Sequence, residues 1–156
     1  MDESNPAYTK IIDYIGRNPA AVLSTVGEEG PHGAVIYVMA ASHGTLCFVT
    51  KNETRKYENI VKNPTVGLTI FNEKEMSTLQ ASGRAFIADN TSGLKDLVMS
   101  KMEDVHATMS DWLPPVTKLA NGEFVVIGIE LNRVRLSDYG GQGMASPIVT
   151  QIGPSA

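Results

Sequence analysis

The strongest constraint on the fold lies between residues 20 and 51. There, three strand-like runs follow one another across two short glycine turns. Residues 20–26 (AAVLSTV) form the first run, and Gly27-Glu28-Glu29-Gly30 reverses the chain. Residues 32–41 alternate, with His32, Ala34, Ile36 and Val38 on one face and Val35, Tyr37 and Met39 on the other. His43-Gly44 turns the chain again, and residues 45–51 make the third run. Turns this short join antiparallel neighbours, whereas a parallel pair needs a crossover of roughly a dozen residues or more. The segment therefore predicts an antiparallel meander and argues against a doubly wound parallel sheet.

The remaining elements are inserted around this meander. Residues 6–17 read as a helix, with Asn5 as N-cap, Pro6 at its start and Tyr8, Ile11, Ile12 and Ile15 at helical spacing. Asn18-Pro19 stops it. Residues 52–63 predict a short helix ending at Asn63-Pro64. Residues 66–71 and 76–88 predict strands around Asn72-Glu73-Lys74-Glu75. Residues 93–105 predict a helix whose apolar face is Leu94, Leu97, Val98, Met102 and Val105. A loop over 106–122 carries Trp112-Leu113-Pro114-Pro115, and 124–136 predicts a final strand. From Tyr139 the chain is rich in Gly, Ser and Pro and is expected to run over the surface. About six strands and three helices in 156 residues predict one domain over 1–156, mainly β with flanking helices, built as a small antiparallel barrel.

Charge and cysteine usage narrow the function. Thirteen Lys+Arg against 17 Asp+Glu leave a net charge of −4, a poor basis for general nucleic-acid binding. The single cysteine, Cys47, excludes an internal disulfide or a CxxC pair and predicts an inert buried thiol. His32, His43 and His106 lack metal-site spacing. The polar start MDESNP does not read as a signal peptide, and no apolar run reaches the ~18 residues of a membrane span. The expectation is a cytoplasmic protein without a membrane or nucleic-acid partner. Gly140-Gly141-Gln142-Gly143 lacks the strand and helix that a dinucleotide loop requires.

Chemistry concentrates in residues 48–56, FVTKNETRK. Lys51, Arg55 and Lys56, with the hydroxyls of Thr50 and Thr54, gather where a strand end runs into a helix start. Backbone N–H groups at a helix N-terminus favour an anion, and Arg adds a planar fork suited to phosphate. The plainer reading is an exposed helix start whose cations pair with Glu53 and Glu58. The residues alone leave both open.

Several pieces in order resemble the FMN-binding split-barrel family, which includes pyridoxamine 5′-phosphate oxidase. They are Ala21–Val26 (AVLSTV), Gly30-Pro31-His32, Gly44–Thr50 (GTLCFVT), Arg55–Ile60 (RKYENI), Asn63–Leu68 (NPTVGL) and Ala81–Ala85 (ASGRA), within a span of about 7–138. The resemblance implies a six-stranded antiparallel split β-barrel forming a homodimer, with FMN sites at the subunit interface. It implies that Thr50, Thr54, Arg55 and Lys56 hold the FMN phosphate, with Val49 and Lys51 also in the cofactor site, and that Ala34, Val35, Ile36 and Tyr37 line the isoalloxazine ring. The family often places a Gln near the flavin where this chain has Thr78, a departure at that contact. The tail 139–156 is a candidate dimer arm that would bring Tyr139 to the other subunit's flavin. Trp112 is read as a packing anchor, with a place at the flavin edge as the alternative.

The implied activity is that of an FMN-dependent oxidoreductase. Pyridoxamine phosphate oxidation itself is not expected, because no Lys or Arg occurs in 32–42 or after Arg135 to hold a substrate phosphate. The alternatives are a deazaflavin (F420)-dependent reductase and a non-enzymatic flavin-binding or stress-response module. No residue is assigned as a catalytic acid, base or nucleophile.

Overall fold

The computed structural model describes residues 3–41, 44–89, 93–98, 100–101, 122–140 and 146–153. His43, His106, Trp112, the end of the predicted helix beyond 101 and residues 141–145 of the tail lie outside them.

Helix α1 (Pro6–Arg17) forms as its sequence predicts. The Asn5 side chain accepts from Ala7 N at 2.9 Å, Pro6 occupies the first turn, and Tyr8, Ile11, Tyr14 and Ile15 are buried. Tyr14 also pins the helix to the sheet. Its hydroxyl accepts from Ser77 Oγ at 3.0 Å and donates to Ser77 O at 3.3 Å.

Strands β1 (Ala20–Gly27) and β2 (Gly30–Tyr37) form a hairpin paired from Ala20↔Tyr37 to Gly27↔Gly30, leaving Glu28-Glu29 as the turn. The chain then passes through Val38 into the two-residue β3 (Met39–Ala40), which pairs with β4 (Thr45–Lys51). The predicted strand 32–41 is therefore two strands. It changes partner at Val38, which is buried and donates its N–H to Pro19 O at 2.9 Å. After β4 come α2 (Arg55–Lys62), β5 (Thr65–Asn72), β6 (Ser77–Ile87), β7 (Phe124–Asp138) and β8 (Ile148–Ile152).

All pairings are antiparallel, in the order β2-β1-β5-β6-β7-β4-β3, with β8 also on β7. Because β2 and β3 stand at opposite ends of that order yet are joined through Val38, the sheet curls back on itself. The result is a split barrel with flanking helices, with eight strands among the described residues rather than six. Strand β7 makes the curl possible. On one side β6 follows most of its length; on the other, β4 pairs with Phe124–Glu130 and β8 with Val134–Asp138. Between the pairs Ser82↔Arg133 and Gly83↔Leu131, Asn132 is an extra residue that bulges and bends β7, beside Gly83, where a Cβ would collide with Glu130 O.

The two strands the sequence missed have ordinary causes. β3 was absorbed into one alternating run, since alternation does not reveal a change of partner. β8 (IVTQI) is a short β-branched run flanked by Pro147 and Gly153, and tail composition masked it. The tail from Tyr139 thus contributes a strand to the sheet rather than only crossing the surface. The predicted helix 52–63 begins three residues later than expected. Asn52 is held instead by Glu123, with Asn52 N donating to Glu123 O at 3.1 Å and Glu123 N donating to Asn52 Oδ1 at 3.0 Å.

Two apolar cores result. The barrel interior packs Leu23, Ile36, Phe48, Ile70, Leu79 and Ile127 against α1. A second cluster lies on the outer face of the sheet, where Leu94 and Val98 of the helical residues 94–98 cover Cys47, Ala88 and Val126. Gly128 belongs to this face; any side chain there would enter the Phe86 ring.

Candidate functional site

The end of β4 and the start of α2 form a corner. Thr50 is fully buried and Lys51 nearly so. The Thr54 N–H donates to Lys51 O at 3.2 Å, and Thr54 Oγ1 donates to the same oxygen at 2.8 Å. Thr50 and Thr54 share a hydrogen bond of 3.0 Å between their hydroxyls. Turned inward this way, Thr54 occupies the N-cap position but makes no side-chain cap; its carbonyl accepts from Tyr57 N at 2.9 Å, while the N–H groups of Arg55 and Lys56 receive no side-chain cap from it. The β-type backbone of Thr54 (φ −87°, ψ 145°) is what aims the helix out of the strand.

The three cations of the corner are placed differently. Lys51 Nζ lies 5.0 Å from the centre of the Phe124 ring, its cross-strand neighbour on β7. Arg55 Nη2 bonds Glu29 Oε2 at 2.9 Å, across from the β1–β2 turn. Lys56 is half-buried, and burial holds its ammonium below the ordinary lysine range. Among the described residues no carboxylate offsets it. A half-buried ammonium without a counter-ion, beside a helix start without a side-chain cap, is an arrangement that favours an incoming anion.

Beyond Val38 the chain of β2 stays in contact with β4, on the side of the sheet away from β7. β2 runs past β4 there without a hydrogen-bonded ladder, and this is the split of the barrel. Ile36 is buried, Ala34 and Tyr37 are partly covered, and Val35 is 62% exposed. The fold thus brings strand β2 beside β4, which carries Val49, Thr50 and Lys51, and the β1–β2 turn onto Arg55 of the same corner. Thr78 is not part of it. It pairs with Ser137, twelve residues along β7 from Val125, the partner of Thr50. That is roughly 40 Å along the strand. Tyr139 follows the same distant end, donating its N–H to Met76 O at 2.9 Å.

Residues that sequence reasoning passed over complete the corner. Arg55 is paired not with Glu53 or Glu58 but with Glu29, and Lys62 Nζ bonds Glu28 Oε1 at 2.7 Å. The second pair holds Glu28 below, and Lys62 above, its ordinary range. Between the two pairs, buried Asn59 donates from Nδ2 to Thr25 Oγ1 at 3.0 Å, and Thr25 Oγ1 donates to His32 O at 3.4 Å. The Asn59 amide packs where a Cβ on Gly27 would stand, so Gly27 admits the helix. An open polar cleft of about 230 Å³ lies between the hairpin tip and α2, lined by His32, Glu29, Arg55, Glu58, Asn59 and Lys62 among others. The buried His32 Nδ1 has no hydrogen-bond partner. The Gly27/Asn59 fit joins residues 32 positions apart and leaves no local signal in the sequence.

Cys47 fits the inert reading. It is fully buried, its Sγ–H points at Met39 O at 3.6 Å, and desolvation pushes the thiol up to about 11 against the opposing pull of Lys101. Among the described residues no group of three or more His, Cys, Asp or Glu could hold a metal, and no helix is long and apolar enough to cross a membrane.

Residues 9–138 match the family model for pyridoxamine 5′-phosphate oxidase. The chain belongs to that family. No curated protein matches it. Solved structures that are similar share its fold at low identity. A pyridoxamine 5′-phosphate oxidase-related, FMN-binding protein from Nostoc punctiforme superposes with a TM-score of 0.63 at 13% identity, covering 99% of this chain and 100% of that one. General Stress Protein 26 from Bacillus anthracis gives 0.58 at 21%, covering 82% and 91%. An FAD-binding protein from Mesorhizobium loti gives 0.62 at 17%, covering 82% and 90%. At these identities the likeness speaks for the fold alone.

Proposed function

We propose that this chain binds FMN as a homodimer and works as an oxidoreductase. The observation that carries the reading is Lys56, a half-buried cation with no counter-ion among the described residues, at a helix start without a side-chain cap. Arg55 and Lys56, with the N–H groups at the start of α2, would hold the doubly charged phosphate. The buried Thr50–Thr54 pair fixes the turn that presents them. The strand segment Ala34–Tyr37 carries no charged side chain and lies on β2, beside β4, so it suits a flat aromatic ring. When bound, FMN supplies two-electron redox chemistry at its ring, and the chain's part is to bind, orient and shield it.

The homodimer reading rests on two features. The wall at Val35 is open, and Thr78 and Tyr139 lie towards the end of β7 opposite the residues that pair with the corner, so a second copy would be the means of bringing them to it. The family resemblance to an FMN-binding protein supports the choice of cofactor. Pyridoxamine phosphate remains an unsuitable substrate, for want of a second set of cations along β2 and the tail.

Titration of the purified protein with FMN and with riboflavin tests the phosphate site. The expected result is a strong preference for FMN that collapses by about 100-fold or more in Arg55→Ala with Lys56→Ala, since each charge-assisted hydrogen bond contributes ~1.5–3 kcal/mol. Equal affinity for the two ligands in the wild type would end the proposal. Preference for a deazaflavin would favour the reductase reading, and tight FMN binding without turnover the non-enzymatic one.

A further inference from the structure

Arg55, unlike Lys56, already holds a counter-ion. Helix α2 presents Arg55, Asn59 and Lys62 at i, i+4 and i+7, which is one face of a helix. The tip of the β1–β2 hairpin meets all three: Glu29 on Arg55, Thr25 on Asn59, and Glu28 on Lys62. The three contacts are not equivalent. Asn59 and Thr25 are buried, and Asn59 fills the space above Gly27. The Arg55 and Glu29 side chains are 57% and 78% exposed. The buried centre secures the hairpin, so the outer pair can open without unseating it.

We propose that Glu29 is an internal competitor for the phosphate at the corner. It occupies the Arg55 guanidinium in the ligand-free protein and must yield when the phosphate arrives. The inference rests on the FMN reading above. A carboxylate and a phosphate on one guanidinium repel each other, so each weakens the other's hold. Affinity for FMN is then set lower than Arg55 and Lys56 alone would give, and binding releases the Glu28-Glu29 turn from one end of α2. Glu28 provides the internal control. It sits in the same turn with the same charge, but its partner Lys62 stands at the far end of α2.

The experiment compares FMN and riboflavin titrations of the full chain, followed by flavin fluorescence, in wild type, Glu29→Gln and Glu28→Gln. Both glutamates are largely exposed, so both variants should fold. Glu29→Gln should tighten FMN binding about two- to fivefold, the range of an exposed pair, and leave riboflavin binding unchanged. Glu28→Gln should keep the wild-type ratio of the two affinities. Unchanged or weaker FMN binding in Glu29→Gln, or an equal gain in Glu28→Gln, overturns the competition. If the wild type holds FMN no better than riboflavin, the phosphate reading itself fails and the competition with it. If the wild type prefers FMN and Glu29→Gln does not deepen that preference, only the competition fails.

Discussion

The two halves of the candidate site are built on opposite principles. At the corner, a buried strand end and a helix start are locked together by Thr50, Thr54 and the Lys51 carbonyl, all within five residues of sequence. Across the split, β2 offers Val35 to solvent and makes no ladder with the β4 strand beside it. The corner is assembled from neighbouring residues of the chain, whereas the wall is open. Charge can be concentrated locally by a few neighbouring residues, because the groups that satisfy one another are close in sequence. A flat apolar surface needs strands from several parts of the chain, and one more layer to cover it.

The contrast can be broken most directly by single substitutions on each half. Lys56→Ala should weaken FMN by roughly 10- to 100-fold, the loss of one charge-assisted contact. Val35→Ala removes only two methyl groups and should cost less than about tenfold. Titration of both variants decides it, and a larger loss from Val35→Ala would make the wall, not the corner, the main source of affinity.

Next in size is the anchor that holds α2 against the hairpin. Asn59→Ala leaves Thr25 Oγ1 without its buried donor and opens a void above Gly27. It should lower stability by about 1–3 kcal/mol in urea unfolding. If the corner depends on that anchor, FMN affinity should fall in the same variant. Unchanged affinity would show the Thr50–Thr54 lock to be sufficient.

The smallest effect lies on the same strand that ends in the corner. Cys47 is buried in the middle of β4, and its thiol is pushed up from 9.0 to about 11. The folded state therefore holds this proton more tightly than the unfolded state. Its contribution is fully present below about 9 and is lost as the pH rises towards 11. Urea unfolding at a series of alkaline pH values should show that decline, and Cys47→Ala should flatten it. An identical slope in the variant would assign the decline to other groups.

Much of this architecture could be read in the chain. Helix α1 followed from Asn5, Pro6 and the spacing of its apolar residues, and the first hairpin followed from Gly27-Glu28-Glu29-Gly30. The corner followed from cations and hydroxyls crowded between a β pattern and a helical one. The switch of partner at Val38 did not, because a strand that leaves one neighbour for another keeps the same alternation. β8 did not either, since five residues with β-branched side chains carry little signal inside a Gly/Ser/Pro-rich tail.

Sequence by itself determined the local elements, the positive corner and the neutral strand beside it, because propensity, turn chemistry and periodicity act over a few residues. Only the tertiary structure decided that Arg55 meets Glu29 rather than Glu53, that no carboxylate among the described residues pairs with Lys56, and that Thr78 lies twelve residues along β7 from the partner of Thr50. Those facts depend on strand order and on how far a sheet curls, which long-range pairing and core packing fix together and no short stretch of chain encodes.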